Sequence, residues 1–137
     1  MQAFSKDNKV IKYLLTVIDV FSKFVWIVPL KRKTGKQVAH AFSRLLKERR
    51  PCKAWIDSGK EVYNKDVQKL LELFSTENEE KSCVIEKFYR TIKGPIFKYF
   101  SANNTRKYID VLDLLVDQYN NTNHSSIKTT PVVQVVR

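Results

Sequence analysis

Two apolar runs lie so close together that they leave the chain one way to connect them. Residues 10–19, Val10-Ile11-Lys12-Tyr13-Leu14-Leu15-Thr16-Val17-Ile18-Asp19, are rich in β-branched and aromatic side chains and read as a mostly buried strand. Residues 24–30, Phe24-Val25-Trp26-Ile27-Val28-Pro29-Leu30, read as a second. A parallel pair needs a crossover of on the order of a dozen residues or more, so the short Asp19-Val20-Phe21-Ser22-Lys23 connection predicts an antiparallel hairpin. Residues 1–4 are expected to be the tail of an earlier strand, joined through the polar turn Ser5-Lys6-Asp7-Asn8-Lys9.

Helical periodicity takes over beyond the hairpin. Thr34 followed by Gln37 is a capping box, and Val38, Ala41, Phe42, Leu45 and Leu46 fall on one face behind it. Pro51 predicts a stop near Arg50. A short strand over 53–56 ends in Asp57, and a helix from about Asn64 carries Val67, Leu70, Leu71 and Phe74 inward. After the polar loop 75–81, a helix from Ser82 turns Ile85, Phe88, Tyr89 and Ile92 inward. Gly94-Pro95 is expected to break or kink it, because proline lacks an amide donor and clashes with the preceding turn, with helix resuming over Ile96–Phe100. A last long helix is expected from Asn103-Asn104-Thr105, with Tyr108, Ile109, Leu112, Leu115, Val116 and Tyr119 on one side. The tail from Asn120 reads as loop, with a short terminal element after Pro131. Strands followed by helices alternating with a strand predict one α/β domain over 1–137, with a mixed sheet.

Charge narrows the partners. Lys and Arg number 25 against 14 Asp and Glu, a formal net charge of +11, which favours a polyanion partner, most often nucleic acid, over a merely solvated basic surface. No apolar run is long enough to span a bilayer, so no membrane partner is expected. The N-terminal segment lacks an apolar signal core, which points to a nuclear or intracellular location. Cys52 and Cys83 form no zinc-binding pattern and are read as free thiols. His40 falls on the polar face of its helix, and His124 is read as a turn residue; Trp26 and Trp55 are read as core.

Two carboxylates stand out. Asp57 closes a short strand ahead of a glycine turn, and ligands in open α/β sheets gather beyond the carboxyl ends of strands. Glu86 lies on the helix from Ser82, with Arg90 and Lys93 four and seven residues on, so the three share one helical face. Phosphodiester chemistry commonly uses two divalent cations about 3.5–4 Å apart, held by carboxylates from separate elements. Mg2+ prefers such oxygen ligands.

These motifs resemble the integrase catalytic core, a ribonuclease H-like fold of retroviral integrases and related transposon enzymes. The likeness is strongest to integrases of Polinton and Ginger-type DNA transposons. It rests on Tyr13-Leu14-Leu15-Thr16-Val17-Ile18-Asp19-Val20-Phe21-Ser22-Lys23, on Asp57-Ser58-Gly59-Lys60-Glu61-Val62-Tyr63-Asn64, on Val84-Ile85-Glu86-Lys87-Phe88-Tyr89-Arg90-Thr91-Ile92-Lys93, and on Tyr119-Asn120-Asn121-Thr122-Asn123-His124-Ser125-Ser126-Ile127. The resemblance implies a sheet of three antiparallel strands followed by a parallel one, flanked by helices. It implies metal-dependent polynucleotidyl transfer in DNA integration, with Asp57 and Glu86 as catalytic, metal-ligating members of an Asp-Asp-Glu set that binds Mg2+ or Mn2+. Lys87, Arg90 and Lys93 would contact DNA, and the chain would act as a homo-oligomer. Asp19, though within a shared motif, is read as a structural turn residue.

The sequence also departs from that pattern. The first family aspartate belongs upstream of Met1, so the chain is expected to be truncated at its N-terminus; Asp7 lies too far along to replace it. Between Asp57 and Glu86 stand 28 residues, fewer than the family's usual spacing, and the shortfall predicts loss of the fifth strand. These departures predict a retained fold and impaired catalysis. The alternatives are a non-catalytic DNA-binding or protein-interaction module and a decayed fragment without function.

Overall fold

A computed structural model describes residues 4–49, 51, 54, 65–71 and 82–136. Strands β1 (Tyr13–Ile18) and β2 (Val25–Leu30) form an antiparallel hairpin, as the short connection requires. They are followed by α1 (Gly35–Glu48), α2 (Lys65–Leu71), α3 (Ser82–Asn103), α4 (Ile109–Asn120) and α5 (Pro131–Val136).

The register explains why both faces of the hairpin are covered. Leu14 pairs with Pro29, Thr16 with Ile27 and Ile18 with Val25. Side chains alternate along a strand, so these pairs share one face. On that face Val25, Leu14, Ile18 and Ile27 pack with Phe88, Ile92 and Ile96 of α3 and with Tyr108, which precedes α4. The other pairs, Tyr13 with Leu30, Leu15 with Val28 and Val17 with Trp26, point the opposite way. There Leu30, Tyr13, Leu15 and Val28 meet Val38 and Ala41 of α1 and Val67 of α2. The hairpin is thus the middle layer between α1–α2 and α3–α4. Trp26 is half-buried with its ring 4.6 Å from that of Phe24.

Among the described residues the sheet has two strands. The predicted strand at 53–56 lies outside the described residues except Ala54, which packs against the α1–α2 core. Residues 1–3 also lie outside them. Phe4 begins a series of tight turns rather than ending a strand, with Asp7 N–H donating to the Phe4 carbonyl and Asn8 N–H to that of Ser5. β1 starts three residues later than the apolar run suggests. Lys9 and Val10 take φ of 53° and 63°, left-handed values that cannot continue into a strand, and Val10 is 60% exposed.

Local signals were obeyed at both ends of α1. Thr34 Oγ1 accepts from Gln37 N–H at 3.4 Å, while Gln37 Oε1 accepts from Arg32 N–H rather than from the cap residue itself. The helix ends at Glu48 with Arg49 extended, two residues before Pro51. Asp19 is the turn residue expected. Its carboxylate accepts from Phe21 N–H at 3.0 Å and from the Ser22 hydroxyl at 2.7 Å. Arg49 joins this turn at 2.9 Å and donates from its other nitrogen to the Val135 carbonyl of α5, so one guanidinium ties the hairpin to the C-terminal helix.

Two expectations about the later helices are corrected. α3 runs unbroken through Gly94 and Pro95. The helix is held on its inner side by Phe88, Ile92 and Ile96, one turn apart, whereas Thr91, Gly94 and Pro95 lie on the exposed side. The Thr91 carbonyl, which loses its donor to the proline, therefore faces water, and packing outweighs the local penalty. Asn103-Asn104 ends α3 instead of starting the next helix. Asn104 has φ of 46°, the left-handed conformation that closes helices.

α4 begins at Ile109 because of a side chain a hundred residues away. Its own preceding residue, Tyr108, makes no side-chain cap. Instead the buried Asn8 carbonyl oxygen accepts from Tyr108 N–H at 2.7 Å and from Ile109 N–H at 3.0 Å, and its amide donates to the Phe4 and Arg106 carbonyls. At the other end of α4, the buried Asn120 amide brackets Val25. It accepts from Val25 N–H at 2.9 Å and donates to the Val25 carbonyl at 3.0 Å, completing the edge of β2 away from β1, where among the described residues no strand pairs.

Candidate nucleic-acid interface on the third helix

α3 turns Phe88, Ile92 and Ile96 into the core, which forces the intervening positions outward. Glu86, Lys87, Arg90 and Lys93 are all exposed. Glu86, Arg90 and Lys93 stand at i, i+4 and i+7 on a helix the proline does not interrupt, so the predicted single face is formed. Tyr89 is a correction: it is exposed rather than inward, although its ring lies 6.0 Å from that of buried Phe88. Phe97 continues the outer stripe and is 53% exposed, with Lys98 beside it. Neither position was singled out from sequence, because a break or kink at Gly94-Pro95 would turn the resumed helix over Ile96–Phe100 off the face that carries Glu86. The result is a helix surface where cations alternate with aromatic rings, able to pair with phosphates and to lie against bases.

The buried side of the same segment is braced. Phe88 meets Tyr119 edge-on at 4.9 Å, and Tyr119 meets His124 at 4.6 Å. Burial pushes the Tyr119 hydroxyl above its ordinary pKa, so it stays neutral. His124 is indeed a turn residue: its N–H donates to the Thr129 carbonyl at 2.9 Å. The ladder Phe88–Tyr119–His124 fixes α3 against α4 and the following turn.

Asp57 lies outside the described residues, as do Cys52 and Trp55. Among the described residues, no group of three or more Asp, Glu, His or Cys side chains gathers as a cation site would require. Glu86 alone does not make a Mg2+ or Mn2+ site. His40 is exposed on α1. No described helix is long and apolar enough to cross a membrane.

A hairpin layered between two helix pairs, with a long exposed helix following the sheet, is an α/β fold similar to the ribonuclease H-like catalytic core of retroviral integrases. The HTLV-2 integrase catalytic core domain, solved in a trimeric form with magnesium, superposes with a TM-score of 0.73 over 88% of this chain and 82% of that one, at 16% identity. The simian T-cell lymphotropic virus intasome, in complex with PP2A regulatory subunit B56 gamma, gives 0.78 over 93% of this chain and 50% of the matched one, at 20% identity. In sequence, the chain is 36% identical over 139 residues to a putative uncharacterized transposon-derived protein, F54H12.3, of Caenorhabditis elegans, a match covering 96% of this chain. The chain spans about half of that relative, 49% of its length. No family model matches the chain.

Proposed function

We propose that this chain is a transposon-derived integrase-core domain that binds DNA through the outer face of α3 and is impaired in strand transfer. The observation that carries this reading is the exposed stripe of Glu86, Arg90 and Lys93 on an uninterrupted helix, flanked by Lys87 and by the rings of Tyr89 and Phe97. The +11 net charge and the integrase-like fold support the same class of partner. Polinton or Ginger-type ancestry, self-association and a nuclear or intracellular site of action belong to this proposal.

Impairment is favoured by the 28 residues between Asp57 and Glu86, a stretch shorter than the family's, which works against the convergence of the two carboxylates on shared cations. The test is strand transfer and nicking of duplex DNA in Mg2+ and in Mn2+. It compares this chain, Asp57→Ala, Glu86→Gln and a form extended upstream by its genomic sequence. This chain should bind duplex DNA with an affinity that falls steeply with salt, yet show no turnover above the Asp57→Ala background. Metal-dependent turnover that Glu86→Gln abolishes would refute impairment. Salt-independent affinity would refute the phosphate-binding face.

A further inference from the structure

The outer face of α3 sets rings and cations in two neighbouring rows. Tyr89, Lys93 and Phe97 stand at i, i+4 and i+8, one to a turn, and all three are exposed. The first row is therefore ring, cation, ring, with the rings about 12 Å apart along the axis at 1.5 Å per residue. Beside it run Arg90, Gly94 and Lys98, also exposed and also one to a turn. This second row is cation, gap, cation: a Cβ at Gly94 would meet nothing within 4 Å. The helix backbone thus lies bare between the two rings.

The rings are supported from below. Phe97, 53% exposed, meets Phe100 edge-on at 5.9 Å and 84°. Phe100 in turn meets Phe4 at 5.5 Å and 70°, and the Arg106 guanidinium lies 5.9 Å from the centre of the Phe4 ring. Tyr89 has buried Phe88 at 6.0 Å. An edge-to-face contact steadies a ring and covers at most one of its faces, so each keeps a face for another aromatic group.

We infer that this face takes a single strand of DNA, with unpaired bases stacked on Tyr89 and Phe97 and phosphates on Arg90, Lys93 and Lys98. The inference rests on the nucleic-acid reading of α3 and names its substrate. In a duplex each base is covered above and below by its neighbours, about 3.4 Å apart along the strand. A ring on a helix surface then reaches only the backbone. An unpaired base can leave the stack and lie on the ring, whatever its identity, because every base has a π-face. Rings about 12 Å apart take two bases that no longer stack on each other, with Lys93 between them for a phosphate.

The surroundings of the rings select a strand over a protein partner. Ion pairs in the described structure engage Lys9, Arg49 and Lys107; among the described residues none engages Arg90, Lys93 or Lys98. Among the described residues of α3, the exposed large apolar side chains are Tyr89 and Phe97, with Lys93 between them. Protein interfaces cluster their apolar anchors and are depleted of lysine at the core, the reverse of this alternation. A polynucleotide, which alternates base and phosphate, matches it.

The experiment uses the full chain and three fluorescein-labelled probes: a short oligothymidylate, an abasic strand of the same length, and a duplex. The abasic strand keeps the phosphates and lacks the bases. Tyr89→Leu and Phe97→Leu keep apolar bulk and remove a ring, Phe97→Trp keeps one, and Arg90→Gln/Lys93→Gln removes cations. All the altered side chains are exposed, and circular dichroism checks the fold of each variant. The unaltered chain should bind oligothymidylate at least about tenfold more tightly than the abasic strand at equal salt. Each leucine variant should cut that ratio about fivefold, the lower end for one stacked base, and Phe97→Trp should keep it. Arg90→Gln/Lys93→Gln should weaken binding of all three probes. Equal affinity for oligothymidylate and the abasic strand would overturn the single-strand inference and leave the phosphate-binding reading of α3 standing. A leucine variant that alters only self-association in sedimentation would assign the rings to a second copy and overturn it as well. If Arg90→Gln/Lys93→Gln changes affinity for no probe, the α3 reading falls and takes the inference with it.

Discussion

On one side of the hairpin, α1 and α2 meet the sheet mainly through apolar side chains, and the start of α1 is capped locally, by Thr34 three residues before Gln37. On the other side, α3 and α4 add to their packing two buried asparagines that bond backbone 95 to 101 residues away in sequence. Both layers bury apolar surface, but they depend on single residues to different degrees. A contact between apolar side chains degrades in proportion to the atoms removed, whereas a lost amide leaves buried donors and acceptors with nothing to bond.

That contrast can be broken by experiment. Asn120→Ala strands the N–H and carbonyl of Val25, and Asn8→Ala strands the two amides at the start of α4. Each should cost about 3 kcal/mol, read as a lowered urea midpoint at unchanged slope. A loss no larger than that of a surface cap would abolish the distinction between the layers. The approach to Asn8 carries the next effect. Val10 is a β-branched residue at φ 63° and exposed, so Val10→Gly should raise stability by about 1 kcal/mol, seen as a higher melting temperature. Thr34→Ala, on the simpler layer, should cost about 1 kcal/mol and leave the α3–α4 side untouched in amide hydrogen exchange.

The smallest effect lies at the rim of α4. Asp110 hydrogen-bonds Lys107, which holds its carboxyl below the ordinary aspartate pKa and raises that of Lys107. A folded pKa below the unfolded one stabilises above the unfolded value and is lost as pH falls through the folded value. Asp110→Asn should therefore lower stability slightly near neutrality, where the pair contributes in full, and flatten the acid limb, since the variant has nothing left to lose as pH falls. Both side chains are well exposed, so an effect comparable to that of Asn120→Ala would mean that the α3–α4 side depends on charge rather than on buried amides.

The local features were legible in advance for a physical reason. Strand alternation, the Thr34–Gln37 cap, the stop before Pro51 and the Asp19 turn all involve groups a few residues apart, whose geometry the chain dictates at short range. The Glu86, Arg90 and Lys93 stripe was legible for the same reason, since helical period alone sets it. Tyr89 was misplaced because a helix with Ile85, Phe88, Tyr89 and Ile92 all apolar does not say which edge of the stripe the neighbour leaves open. The Gly94-Pro95 break was expected from the missing donor and did not occur, because Ile92 and Ile96 bury on both sides of it.

The sequence alone determined the hairpin, the helical character of the later chain, its strong positive charge and the alignment of an acid with two bases on one helix. These depend on residue type and spacing. Tertiary structure decided where α4 starts, how the free backbone of Val25 is satisfied, and that α3 continues past its proline. Asn8 and Asn120 read as ordinary polar residues until folding brings them against main chain about a hundred residues away. A hydrogen bond of that reach has no periodicity to betray it, because its partner is supplied by packing.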